Sequence, residues 1–129
     1  MSLRVLIVDD DFINRKLIQA LLKRHPELVG EVLEADNGSE ALKILRERSD
    51  IGLVLLDILM PVLDGKEFLK IFRSDPANSR IPVIVLSTDD TQKTTVLNLG
   101  AEDFIIKPIG EEELIARIRH WTQPIEGQK

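Results

Sequence analysis

Five short apolar runs punctuate the chain, and each gives way to a stretch with helical spacing. Val5-Leu6-Ile7-Val8 is the first and stops at Asp9-Asp10-Asp11. From Phe12 the apolar positions recur every three or four residues. Ile13, Leu17 and Leu21 form one stripe with Ile18 and Leu22 beside it, while Arg15, Lys16, Lys23 and Arg24 are placed facing away. Pro26 ends this first helix, because proline has no N–H to continue it. Val29–Ala35 reads as a second strand, and the charges at Glu31 and Glu34 mark it as an edge. Asp36-Asn37-Gly38-Ser39 is a turn that caps a second helix carrying Ala41, Leu42 and Leu45, closed by Ser49-Asp50. Leu53-Val54-Leu55-Leu56 is the third run and ends on Asp57; Met60-Pro61 and Asp64-Gly65 then break the chain. A third helix with Phe68, Leu69, Ile71 and Phe72 on its apolar stripe ends before Asp75-Pro76. The fourth run, Val83-Ile84-Val85-Leu86, reaches Ser87-Thr88, and a threonine-rich fourth helix over Thr91–Leu99 is closed by Gly100. The fifth, Phe104-Ile105-Ile106, ends at Lys107-Pro108. The last helix starts after Gly110, with Glu111 to Glu113 suited to its positive end and Leu114, Ile115, Ile118 and Trp121 on its apolar side.

Strand and helix alternate five times at short intervals, the pattern of right-handed parallel βαβ units. Unbroken apolar runs suit strands buried on both faces. The expected fold is therefore α/β: a three-layer, flavodoxin-like (βα)5 domain whose parallel five-stranded sheet has the order 2-1-3-4-5. Composition narrows what this fold does. A net charge of −5 over 129 residues argues against direct nucleic acid binding, which needs a basic stripe. The chain has no cysteine and two histidines, which leaves out disulfides, thiolate metal sites and histidine-based clusters. No apolar run approaches the length of a membrane span, and no leader segment is visible, so a cytoplasmic location is expected.

Ligands of open parallel sheets collect at the carboxyl ends of the strands, and here those ends carry a chemical set. Strand one delivers Asp9 and Asp10, strand three Asp57, strand four Ser87 and strand five Lys107. In the order 2-1-3-4-5, strands one and four lie about 4.8 Å on either side of strand three, and strand five is roughly 10 Å away, within reach of a lysine. Of the three consecutive aspartates, Asp11 is the one expected to cap the first helix. Three carboxylates crowded together repel unless a cation sits among them. With only oxygen donors offered, that cation is expected to be Mg²⁺ or Mn²⁺ rather than zinc. A carboxylate beside such a cation, a hydroxyl and an ammonium is what phosphoryl transfer onto an aspartate requires.

The sequence closely resembles the receiver domain of two-component response regulators. The resemblance rests on Asp9-Asp10 after Leu6-Ile7-Val8, Asp57 followed by Met60-Pro61 and Asp64-Gly65, Ser87 after Val83–Leu86, and Lys107-Pro108 after Phe104–Ile106. It covers essentially the whole chain, with residues 3–122 expected to form the receiver and residues 123–129 a C-terminal tail. The resemblance implies that Asp57 accepts a phosphoryl group from a histidine kinase or histidine phosphotransfer protein. It further implies a metal held by Asp10 and Asp57 directly, by Asp9 through water and by the Leu59 carbonyl. Ser87 and Lys107 are implied to bind phosphoryl oxygens, the Lys107-Pro108 peptide to be cis, and Ser87 and Phe104 to act as a switch pair. That pair would remodel the face of helix four, strand five and helix five toward a downstream protein, an output domain or a second copy in a homodimer. Such a domain is not an enzyme in the usual sense. It departs from the family pattern in having Thr88 after the switch hydroxyl, Asp89 beyond it, and a shortened segment between Ser87 and Gly100.

Two other readings compete. A haloacid-dehalogenase-type phosphatase uses an Asp-x-Asp after strand one, which Asp9 and Asp11 supply, but Ile13 fits its next position poorly and the late acidic metal pair is replaced by Lys107-Pro108. An unphosphorylated receiver-like interaction module would not need the full set of Asp9, Asp10, Asp57, Ser87 and Lys107. A flavodoxin is disfavoured because strand one leads into acids rather than a phosphate-binding loop.

Overall fold

The computed structural model describes residues 3–58, 60 and 63–123. Its elements follow in strict alternation: β1 (Leu3–Val8), α1 (Phe12–Lys23), β2 (Val29–Ala35), α2 (Gly38–Glu47), β3 (Leu53–Asp57), α3 (Gly65–Ser74), β4 (Val83–Ser87), α4 (Lys93–Asn98), β5 (Asp103–Ile106) and α5 (Glu111–Thr122). The five strands are parallel and ordered β2-β1-β3-β4-β5, as expected from the sequence. Alternating strand residues feed two apolar layers. Leu6, Val8, Val54, Leu56, Val83 and Val85 pack with Phe68, Leu69, Phe72 and Val96 on the side of α2, α3 and α4. Val5, Ile7, Leu53, Leu55, Ile84 and Ile105 pack with Ile18, Leu22, Leu114 and Ile118 on the side of α1 and α5. This double burial is why the strands read as unbroken apolar runs rather than as alternating ones.

Four details differ from the sequence reading. The buried line of α1 runs through Ile18 and Leu22, whereas Ile13 and Leu17 are 62% and 60% exposed. Arg15 lies three residues before Ile18, on the same inward face, and is partly buried instead of facing away. Ile71 and Trp121 are likewise exposed. The Trp121 indole Nε1 donates to Asp103 Oδ2 at 2.9 Å, so a polar partner at the start of β5 holds the ring at the surface. The expected fourth helix divides into a 3₁₀ turn, Asp90–Gln92, followed by the six-residue α4. Asp89 caps that turn by accepting from the Thr91 amide and hydroxyl, and α4 has no side-chain cap of its own. The C-terminal tail lies outside the described residues from residue 124 onward.

Gly65, the first residue of α3, sits against the end of β3. A Cβ there would lie 2.6 Å from Ile58 Cα and 2.7 Å from the Asp57 carbonyl oxygen, and the Gly65 amide donates to the Ile58 carbonyl at 2.8 Å. The neighbours are backbone, so they cannot swing away. Gly65→Ala is expected to destabilise the fold by about 1–3 kcal/mol, the usual penalty for overpacking, read from urea unfolding midpoints at constant m-value.

Candidate functional site

Strand register puts the polar strand ends side by side. Val8 pairs with Leu56, so Asp9 follows β1 where Asp57 ends β3. Asp57 pairs with Leu86, which places Ser87 one residue further on, and Ser87 pairs with Ile106, which places Lys107 next. Carboxylate oxygens of Asp9, Asp10 and Asp57 all lie within 4.8 Å of one another. Asp9 is buried, Asp57 half-buried and Asp10 exposed, so the group opens to solvent on one side. Lys107 Nζ crosses from β5 to within 3.6 Å of Asp9 Oδ2 and 3.9 Å of Asp57 Oδ1. One ammonium thus meets two of three clustered carboxylates and leaves a net negative pocket of hard oxygen donors, a set that suits Mg²⁺ or Mn²⁺.

The remaining site residues fall around this centre. Ser87 is buried, and its Oγ accepts the Asp89 amide at 3.0 Å while its carbonyl accepts the Lys107 amide at 2.9 Å. Phe104 is buried too, in the layer shared with Val85 and Val96. The Lys107-Pro108 peptide is cis. Asp11 caps α1 by accepting from the Ile13 and Asn14 amides, so it turns toward the helix, and the acidic group contains Asp10 instead. That pairing runs against the Asp-x-Asp reading of a dehalogenase-type phosphatase. Leu59, implied as a carbonyl ligand, lies outside the described residues.

Three residues that the sequence does not tie to the site, Arg15, Lys16 and Glu34, stand beside it. Arg15 Nη1 donates to the Asp9 carbonyl at 2.6 Å, and its Nε donates to Glu34 Oε1 at 2.9 Å. Lys16 Nζ takes the other Glu34 oxygen at 2.9 Å. In the sequence Glu34 reads only as a charge interrupting an edge strand. The available signal was a carboxylate one residue before the end of β2, next to a strand that ends in acids. Also beside the site, α1 and the residues after β5 enclose a groove of about 600 Å³ lined by Leu17, Ile18, Leu21, Thr88, Pro108 and Ile109, among others.

This fold and this site define a signalling module of the response-regulator kind. The profile of the response regulator receiver domain matches residues 5–119, and the chain belongs to that family. It is 44% identical over 125 residues to the probable transcriptional regulator ycf27 of Cyanidium caldarium, a match covering 95% of this chain and 47% of that protein. The chain spans about half the length of the transcriptional regulators it matches. Its structure resembles that of a putative response regulator from Chloroflexus aurantiacus, with a TM-score of 0.87 at 28% identity, covering 96% of this chain and 100% of that one. It also resembles the receiver domain of sensor histidine kinase PA1611 from Pseudomonas aeruginosa, solved with a magnesium ion coordinated in its active site cleft. There the TM-score is 0.84 at 25% identity, with 96% and 100% covered. Receiver domains bind Mg²⁺ at an acidic pocket, and Asp9, Asp10 and Asp57 form such a group here.

Two measurements test the electrostatics. Asp10→Asn removes one of three mutually repelling carboxylates. In metal-free buffer it is expected to raise Tm by roughly 4 °C, the shift that about 1 kcal/mol gives in a domain of this size; a lower Tm would count against crowding. For Glu34, burial works to raise the carboxyl, but hydrogen bonds from Lys16, Arg15 and Gln19 outweigh it and hold the group down to about 2 from an ordinary 4.5. A depressed carboxylate adds stability above its unfolded-state value, which is lost as pH falls through its folded value. Glu34→Gln should therefore be less stable than the parent at pH 7, with the difference fading between about pH 4.5 and about pH 2.

Proposed function

We propose that this receiver is a phosphorylation-controlled switch in which Asp57 is the phosphoryl acceptor. The observation that carries the reading is the meeting of Asp57 with Asp9, Asp10 and the Lys107 ammonium at adjoining strand ends. An Asp57 carboxylate oxygen attacks the phosphorus of a phosphohistidine, the P–N bond breaks, and the departing imidazole nitrogen keeps its electron pair and takes up a proton. The product is an aspartyl phosphate. Asp9, Asp10 and Asp57 would hold Mg²⁺ (or Mn²⁺), which when bound offsets charge on the phosphoryl oxygens. Lys107 offsets further charge, as its contacts with both Asp9 and Asp57 support. Ser87 reaches a phosphoryl oxygen once its hydroxyl gives up the Asp89 amide.

The phosphodonor is a histidine kinase or a histidine phosphotransfer protein. The apolar groove beside Lys107, rimmed by Leu17, Leu21, Pro108 and Ile109, is the surface on which it would dock. The output is the face of α4, β5 and α5, each of which leaves one large apolar residue exposed: Leu97, Ile106 and Trp121. A downstream protein, an output domain or a second copy would read that face, with Ser87 and buried Phe104 connecting it to the site. Among the described residues no helix is long and apolar enough to cross a membrane.

Incubation with Mg²⁺ and phosphoramidate, followed by intact-mass measurement, should show one added phosphoryl group that hydroxylamine removes. It should be absent in Asp57→Asn and suppressed by EDTA. Labelling that survives in Asp57→Asn would sink this reading.

A further inference from the structure

We propose that Arg15 is a positioning residue for the acidic pair, clamped between β1 and β2 so that it sets the orientation of the Asp9–Asp10 peptide and with it the site's affinity for Mg²⁺. This rests on the functional reading above. The Asp9 carbonyl that accepts Arg15 Nη1 belongs to the same rigid plane as the Asp10 amide. Holding that oxygen fixes how the chain leaves β1 and where the Asp10 Cα stands. The Asp9 amide is pinned on the other side by the Ala35 carbonyl at 3.1 Å, so both polar groups of the Asp9 backbone are anchored to β2 or to a residue braced by it. Asp10 needs this help more than Asp9 does. Asp9 is buried, and its carboxylate accepts the Asp11 amide and meets Lys107. Asp10 is exposed, and its carboxylate makes no hydrogen bond or ion pair among the described residues.

The guanidinium is itself held in one pose. Its Nε is taken by Glu34, the other Glu34 oxygen is occupied by Lys16, and its Cζ lies 5.7 Å from the centroid of the Phe12 ring. A planar fork can serve a carbonyl on one strand and a carboxylate on the next at once; an ammonium on a flexible stem is a point charge that cannot hold both in fixed geometry. Partners that orient metal ligands typically change metal affinity tenfold or more when removed.

The sign of the effect separates positioning from simple charge. Deleting a cation beside three carboxylates strengthens Mg²⁺ binding if charge alone matters; loss of positioning weakens it. The test is titration of metal-free protein with MgCl₂, followed by amide NMR shifts, for the parent, Arg15→Ala, Arg15→Lys and Glu34→Gln. We expect the Mg²⁺ Kd to rise about tenfold in Arg15→Ala and about as much in Arg15→Lys, with a smaller rise in Glu34→Gln, which leaves the Asp9 contact in place. In phosphorylation by phosphoramidate, the Mg²⁺ concentration giving half-maximal rate should rise by the same factor, while the rate at saturating Mg²⁺ stays within about twofold. Circular dichroism checks folding; if Arg15→Ala is unfolded, the lysine and Glu34 variants decide. Unchanged or tighter Mg²⁺ binding in the folded Arg15 variants overturns the inference and leaves the functional reading standing. A parent protein that binds no Mg²⁺ overturns both.

Discussion

Carboxylates that share a small volume repel one another, and the sheet brings three of them together at the ends of β1 and β3. The rest of the site is arranged around that repulsion. Lys107 reaches from β5 and meets two of the three acids. Asp11 is drawn off to cap α1, which keeps a fourth carboxylate out of the cluster. Gly65 allows the chain after β3 to pass within contact of the Asp57 backbone before entering α3. A parallel sheet in the order 2-1-3-4-5 is what makes this possible, because residues distant in sequence become neighbours only where consecutive strands end at one edge.

Most of the fold was legible because the two periodicities are so distinct. Strands buried on both faces read as unbroken runs such as Leu53–Leu56, and helices covering one face of a sheet show three-to-four spacing. The central polar residues were legible for a related reason: Asp9, Asp57, Ser87 and Lys107 each follow directly after an apolar run, and Asp10 comes one residue later. The misreadings share a different cause. A stripe of apolar residues does not say which of two adjacent lines faces the core. In α1 the line through Ile18 and Leu22 is buried, and that rotation brings Arg15 inward and turns Ile13 and Leu17 outward. Trp121 went astray because its partner Asp103 lies 18 residues earlier, beyond any local pattern.

Exposed apolar residues on α1 and a charged residue on its inward face look like errors in a purely structural account. They make sense together when α1 faces two tasks. Its outer line, with Leu17, borders the groove that opens beside Lys107. Its inner line sends Arg15 back to the Asp9 carbonyl and across to Glu34 on the edge strand. Edge strands leave backbone groups unpaired and commonly carry charges that discourage further pairing. Glu34 fits that general role, and its two oxygens also fix a guanidinium and an ammonium beside the acidic loop.

The fourth helix shows how the same strand-end geometry constrains any signal leaving the site. Ser87 is the last residue of β4, and its two oxygens are committed in opposite directions: the carbonyl to the Lys107 amide, the hydroxyl to the Asp89 amide. Asp89 in turn holds the Thr91 amide and hydroxyl, and Gln92 accepts from Lys66 on α3. Withdrawing the Ser87 hydroxyl toward Asp57 therefore frees the amide of the residue that caps the 3₁₀ turn. The element that follows has six residues, no side-chain cap and two adjacent threonines, so little intrinsic helicity resists a change at its start. At its far end the chain is held firmly: Gly100 is left-handed at φ 109°, and Arg73 donates to its carbonyl at 2.9 Å. The segment is thus fixed at its far end and, near the site, depends on one hydrogen bond to the Ser87 hydroxyl.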